Sequence, residues 1–236
     1  MTMVWAHRGA SGYAPENTLP AIEMALEQGA DAIEIDVQLT RDDEVVVIHD
    51  ETLERTTSGN GWVADHSLEA LRALDASAGD ERYRGTRVPT LQEVLDLAGD
   101  AIVNVELKNT RMRYHGLEER VLAIVAELGA ADRVVVSSFN HYSLRHLLHL
   151  GTPLPLGALY SDPLFQPWKY ARRLGATALH PPLRATRRKL IDACHDLGMP
   201  VHVWTVNEPD DIKKMAKVGA DAVITNYPNL ARSIIG

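Results

Sequence analysis

Val201-His202-Val203-Trp204-Thr205-Val206 is followed by Asp210-Asp211-Ile212-Lys213-Lys214-Met215-Ala216-Lys217-Val218, then Gly219, then Ala222-Val223-Ile224-Thr225. The first run is β-branched and short, as a buried strand requires. The second places Ile212, Met215 and Val218 on one helical face. Gly219 sits where a helix wants a left-handed cap. The last run is a second strand. Strand, helix and strand in this order predict a parallel pair with a right-handed crossover.

The unit repeats in both directions from there. Strands are expected at Ile102–Leu107, Val134–Phe139, Leu154–Tyr160 and Ala176–His180. Helices are expected at Glu118–Leu128, Tyr142–Leu150, Phe165–Leu174, Arg187–Leu197 and Asn229–Ile235. Gly129, Gly151, Gly175 and Gly198 follow four of them as Gly219 follows its own. Towards the N-terminus, Val4–His7 and Ala32–Leu39 read as strands, and Asn17–Gln28 reads as a helix closed by Gly29. Thr90 and Glu93 make a capping-box pattern ahead of Leu91–Ala98. With Val45–Ile48 taken as an extension of the second unit, eight β/α units result. Eight such units predict an α/β fold of the (β/α)8 TIM-barrel kind, with an open doubly wound sheet as the runner-up.

Residues 50–88 break the rhythm. They are rich in Thr, Ser, Gly, Asp and Arg, with one short helical pattern over Leu68–Leu74. Loops this long are functional or are insertions. The expectation is one domain over residues 1–236, with a small insertion after the second strand leaning over the barrel mouth.

The chain has 236 residues, enough to bury a full core without staples. Asp and Glu number 32 against 24 Lys and Arg, a net charge of −8, which argues against a nucleic-acid partner. The single cysteine, Cys194, lies in an amphipathic helical pattern and reads as a small core residue rather than a nucleophile. No basic stretch followed by an apolar one opens the chain, and no apolar run approaches the ~20 residues of a membrane span. A cytoplasmic protein with no stable membrane insertion is the expectation.

Barrel sites form where strands end. The first strand ends in His7-Arg8-Gly9. In the second, Glu34 and Asp36 share one face while Ile33, Ile35 and Val37 share the other. Glu106 and Lys108 repeat that arrangement in the strand over Ile102–Leu107 and just beyond it. Carboxylates side by side repel unless a cation or proton separates them. Three convergent oxygen donors suit a hard cation, Mg2+ or Ca2+. His49 ends the run Val45–Ile48, and with His7 supplies two imidazoles able to exchange protons near neutral pH. Arg8 and Lys108 offer fixed positive charge to a phosphate. Trp204 reads equally as a pocket wall or as barrel core.

These residues resemble the glycerophosphodiester phosphodiesterase family. The resemblance runs through His7-Arg8-Gly9, Pro15-Glu16-Asn17-Thr18, Glu34-Ile35-Asp36-Val37, Val47-Ile48-His49-Asp50 and Leu53-Glu54-Arg55-Thr56-Thr57-Ser58-Gly59. It continues through Val88-Pro89-Thr90-Leu91, Glu106-Leu107-Lys108, Trp204-Thr205-Val206-Asn207 and Gly219–Pro228. Between Thr110 and Arg187 only the rhythm matches. The resemblance implies Glu34, Asp36 and Glu106 as metal ligands, His7 and His49 as the acid/base pair, and Arg8 and Lys108 at the phosphate. It implies that the insertion shapes the glycerol pocket. Asn17 or Thr18 is expected to cap the first helix, with Glu16 bracing the site. The implied reaction is metal-dependent hydrolysis of small glycerophosphodiesters to sn-glycerol 3-phosphate and an alcohol. Two alternatives stand beside it: lysophospholipase-D-like hydrolysis of lipid diesters, and a non-catalytic phosphodiester-binding barrel.

Overall fold

A computed structural model describes residues 1–236. The elements run β1 (Met3–His7), α1 (Leu19–Glu27), β2 (Ala32–Leu39), β3 (Val45–Val47), α2 (Leu68–Arg72), α3 (Leu91–Ala98), β4 (Ile102–Leu107) and α4 (Leu117–Glu127). They continue with β5 (Val134–Ser138), α5 (His141–His149), β6 (Leu156–Leu159), α6 (Pro167–Leu174) and β7 (Ala178–His180). The chain closes with α7 (Arg188–His195), β8 (His202–Val203), α8 (Pro209–Val218), β9 (Ala222–Thr225) and α9 (Pro228–Ile235).

Eight of the nine strands pair in parallel in the order β7-β6-β5-β4-β2-β1-β9-β8. Parallel bridges from Leu179 to Val201 and from Pro182 to Trp204 join β7 to β8 and close the ring. β3 stands outside it, antiparallel to β2, with Val37 opposite Val47. The fold is therefore a (β/α)8 barrel carrying one extra hairpin strand, and the open sheet is excluded.

Alternation along the strands sorts the core. Ile33, Ile35, Val37, Val103, Val105 and Leu107 point outward into one apolar layer with the helices. Residues 50–88 pack around a smaller cluster of their own, in which Leu53, Val63, Leu71, Ala76 and Val88 meet Val46 and Ile48. The six glycines expected beyond helices all have positive φ, between 61° and 90°. Gly9 shows why the first motif needs a glycine: φ is 77°, and a Cβ there would lie 2.6 Å from the backbone carbon of Ala21 in α1.

Several boundaries differ from the sequence reading. The strand expected over Val201–Val206 survives only as His202–Val203, because Trp204 pairs across the seam as an isolated bridge. Pro155, which has no N–H to donate, delays β6 to Leu156. The helix expected from Phe165 starts at Pro167, after Gln166 turns left-handed at φ 52°. α1 begins at Leu19 rather than Asn17. Thr18 takes the N-cap position, but its hydroxyl donates to the Pro15 carbonyl, 2.6 Å away, and no side chain caps the helix. Thr90 and Glu93 do form the capping box. Cys194 is fully buried, and burial pushes its thiol up to about 12, as befits a core residue.

Inside the barrel, Nε2 of His180 lies 2.9 Å from Nδ1 of His202. Burial, reinforced by the neighbouring imidazole, holds His180 well below its usual range, and burial pushes His202 down to about 4. The unfolded chain takes up these protons near pH 6.5. Below that value it binds more protons than the native state, so stability falls as pH drops from about 6.5 through 4. Urea midpoints are expected to decline over this window, and to decline less steeply in His202→Gln. Equal slopes in the two proteins would remove this pair from the acid sensitivity.

Candidate active site

Strand register builds the site. His7 in β1 lies opposite Glu34 in β2, and Asp36 lies opposite Glu106 in β4. Glu34, Asp36 and Glu106 are all buried, and ligand oxygens from the three lie within 4.8 Å of one another. The antiparallel pairing of β3 runs on until Ile48 N–H donates to the Asp36 carbonyl at 3.0 Å, which brings His49 to the same place.

Three carboxylates this close cannot all stay charged without compensation. Burial, then repulsion from Asp36 and Glu106, pushes Glu34 well above the usual carboxylate range. Burial, then Asp36, pushes Glu106 up to about 7, against the pull of Lys108. Asp36 goes the other way: burial opposes its charge, but Lys108, Arg8 and His49 together outweigh burial and hold it ionised. Lys108 Nζ is 2.9 Å from Glu106 Oε1 and 3.6 Å from Asp36 Oδ1. Arg8 Nε is 3.1 Å from Asp36 Oδ2, an ionic contact too bent for a hydrogen bond. Two basic side chains thus face three acidic ones. The donor set is all oxygen and its charge is incompletely met, so a hard divalent cation fits it.

The histidines have different partners. His7 Nδ1 lies 2.7 Å from Asn226 Oδ1. Burial, then Arg8, pushes His7 down to about 4, so it is neutral at pH 7. His49 Nδ1 lies 2.6 Å from Asp50 Oδ1. Gln38, fully buried, donates its amide to the carbonyls of Ile48, His49 and Asp50 at 2.7–3.0 Å, and its own oxygen accepts from the Tyr114 hydroxyl at 2.6 Å.

A cavity of about 140 Å³ joins these groups. Its lining includes the polar His7, Arg8, Glu34, His49, Glu106 and Lys108 and the apolar Phe139, Leu159, Trp204 and Ile224. Trp204 is held by its indole N–H on the His180 carbonyl at 2.8 Å and by an edge-on contact with Phe139 at 5.4 Å. Asp36 lies just beneath the cavity. Larger grooves of about 440 and 610 Å³ run along the outer helices, but neither contains the cluster of close carboxylates.

All eight residues singled out from the sequence thus meet at one barrel end. Three others were missed. Asn17, at φ 59°, does not cap α1; its amide N–H donates to Asp36 Oδ2 at 2.9 Å and its oxygen accepts from Asp36 N–H at 3.2 Å. Asn226 orients His7. Arg55, from the insertion, donates to both Glu16 and Asp50. All three lie inside motifs already quoted, but nothing local reveals their partners.

The chain is similar to known proteins over nearly its whole length. A model of the glycerophosphoryl diester phosphodiesterase family matches residues 7–230. A glycerophosphodiester phosphodiesterase of Caldanaerobacter subterraneus subsp. tengcongensis is 43% identical over 237 residues, spanning 99% of this chain and 98% of its own. One from Bacillus altitudinis is 40% identical over 240 residues, spanning 99% and 98%. The solved structure of an Oleispira antarctica phosphodiesterase in complex with the product sn-glycerol-3-phosphate has a TM-score of 0.88 at 31% identity, covering 100% of this chain and 97% of that one. Fold, cavity and relatives define a barrel enzyme of the phosphoric diester hydrolase class. Within that class, the chain belongs to the glycerophosphoryl diester phosphodiesterase family.

Asn17→Ala removes both amide contacts to Asp36 and leaves a side chain at positive φ. It is expected to lower the unfolding free energy by roughly 1–3 kcal/mol. An unchanged urea midpoint would make the amide dispensable.

Proposed function

We propose that this enzyme hydrolyses glycerophosphodiesters to sn-glycerol 3-phosphate and an alcohol, with a divalent cation, Mg2+ or Ca2+, held by Glu34, Asp36 and Glu106. The reading rests above all on one observation: the only group of three metal-capable side chains lies beside two imidazoles and two basic residues around a single cavity. Family membership supports the substrate class. The chain is taken as one barrel unit, with residues 50–88 as its insertion.

Bound there, the cation would supply Lewis-acid stabilisation of charge on the non-bridging oxygens. Arg8 and Lys108 contribute fixed positive charge to the same oxygens. His7 donates from Nδ1 to Asn226, so Nε2 is free to accept a proton from the attacking oxygen. His49 donates from Nδ1 to Asp50, and its Nε2 protonates the departing alkoxide. Phe139 and Trp204 close the apolar side of the cavity and exclude water from it. Water or the glycerol 2-hydroxyl can serve as the attacker, and a cyclic phosphate in single-turnover samples identifies the second.

Excess chelator is expected to abolish turnover, and added Mg2+ or Ca2+ to restore it; full activity in chelator would discard the cation. His49→Ala is expected to lower kcat by roughly 10²–10⁴. Near-normal turnover in that variant would take His49 out of the reaction.

A further inference from the structure

Arg55 lies in a motif that the reaction above does not use. It belongs to the insertion, and its turn is fixed from both sides. Leu53 is fully buried in the insertion's own apolar cluster. The N–H and the hydroxyl of Thr57 both donate back to the Leu53 carbonyl, at 3.0 and 2.8 Å. Arg55 is thereby presented to the barrel on a short rigid bend.

Four of its five N–H donors are engaged. Nη1 and Nη2 fork onto Glu16 Oε2 and Oε1, each at 2.8 Å. Nε and Nη2 reach Asp50 Oδ2 and Oδ1, at 2.5 and 3.0 Å. Both carboxylates have a second partner in the site. Asp50 Oδ1 holds His49 Nδ1 at 2.6 Å, and Glu16 Oε1 accepts from Arg8 Nη1 at 2.9 Å. The result is one continuous chain of alternating charge: His49, Asp50, Arg55, Glu16, Arg8 and, through Arg8 Nε, Asp36.

An ordinary exposed ion pair contributes little, and Arg55 is 47% exposed. Its place in the chain sets it apart from such a pair. His49 arrives from β3 and Arg8 from β1, and no bond joins them directly. One planar fork spans the two supports, and a lysine has no such geometry.

We propose that Arg55 is a positioning residue that fixes His49 and Arg8 relative to each other, so that the insertion completes a site the barrel alone leaves loose. This rests on the roles given to His49 and Arg8 above. Misplacing a catalytic group by about 1 Å costs on the order of 10² in rate. The effect is expected on kcat, because Arg55 does not line the cavity.

Kinetics with glycerophosphocholine test this in the metal-supplemented enzyme. Arg55→Ala is expected to lower kcat about 10–100-fold with KM within about threefold, and millimolar guanidinium ion is expected to recover part of the loss. Arg55→Lys, which keeps charge and bulk, is expected to retain fold and KM and still lose most of that factor. Arg55→Ala combined with Asp50→Asn is expected to be no worse than the poorer single variant, since both cut one chain. Wild-type kcat in Arg55→Lys, or full additivity in the pair, would overturn the proposal. If Arg55→Ala does not fold, Arg55→Lys alone decides. The underlying reaction is judged separately by His49→Ala and the chelator: if these leave turnover intact the function fails, and if they abolish it while Arg55→Lys is silent only the positioning role fails.

Discussion

Repulsion among three buried carboxylates is the constraint around which this molecule is arranged. Glu34, Asp36 and Glu106 share one small volume, and the protein does not let them drift apart. Register locks Asp36 beside Glu106. Two hydrogen bonds from Asn17 pin Asp36, and Arg8 and Lys108 crowd in as counter-charges. Only Asp36 stays firmly ionised; its two neighbours are driven towards the neutral form. Under the proposed function, a divalent cation is the charge that relieves this repulsion. Burial lowers the local dielectric, so opposite charge is worth more to these carboxylates than it would be in water.

The barrel supplies only part of this. β1, β2 and β4 carry His7, the carboxylates and Lys108, as a barrel of parallel strands dictates. His49 follows β3, a hairpin strand antiparallel to β2, and its segment is tied to the ring by Gln38 of β2, which Tyr114 holds in turn. Two structural systems, one cyclic and one grafted, meet at the cavity. Each has its own apolar core, so each can hold its side chains rigidly before the two are matched.

What the sequence makes legible follows from local periodicity. A period of two puts Glu34 with Asp36 and Glu106 with Lys108, and that alone points to convergence. Glycines past the helices mark the repeats, and the count of eight follows. The fixed offset between Thr90 and Glu93 gives the capping box. The illegible part is made of contacts between distant segments. Asn17 looks like a cap and instead serves Asp36, 19 residues away. Asn226 orients a histidine 219 residues before it. Gln38 alternates like any inward strand residue, but its three carbonyl partners belong to a loop whose path no pattern specifies. The strand at Val201–Val206 is overestimated for a related reason: β-branched composition measures a willingness to extend, and the neighbour across the seam decides where pairing stops.

That seam is the thinnest part of the ring. β7 has three residues and β8 two, and isolated bridges at Leu179 and Pro182 join them. β2 and β4, on the carboxylate side, are paired over six successive residues. Local opening follows the weakest ladder. The cavity thus has a long ladder under its charged residues and a short one under Trp204.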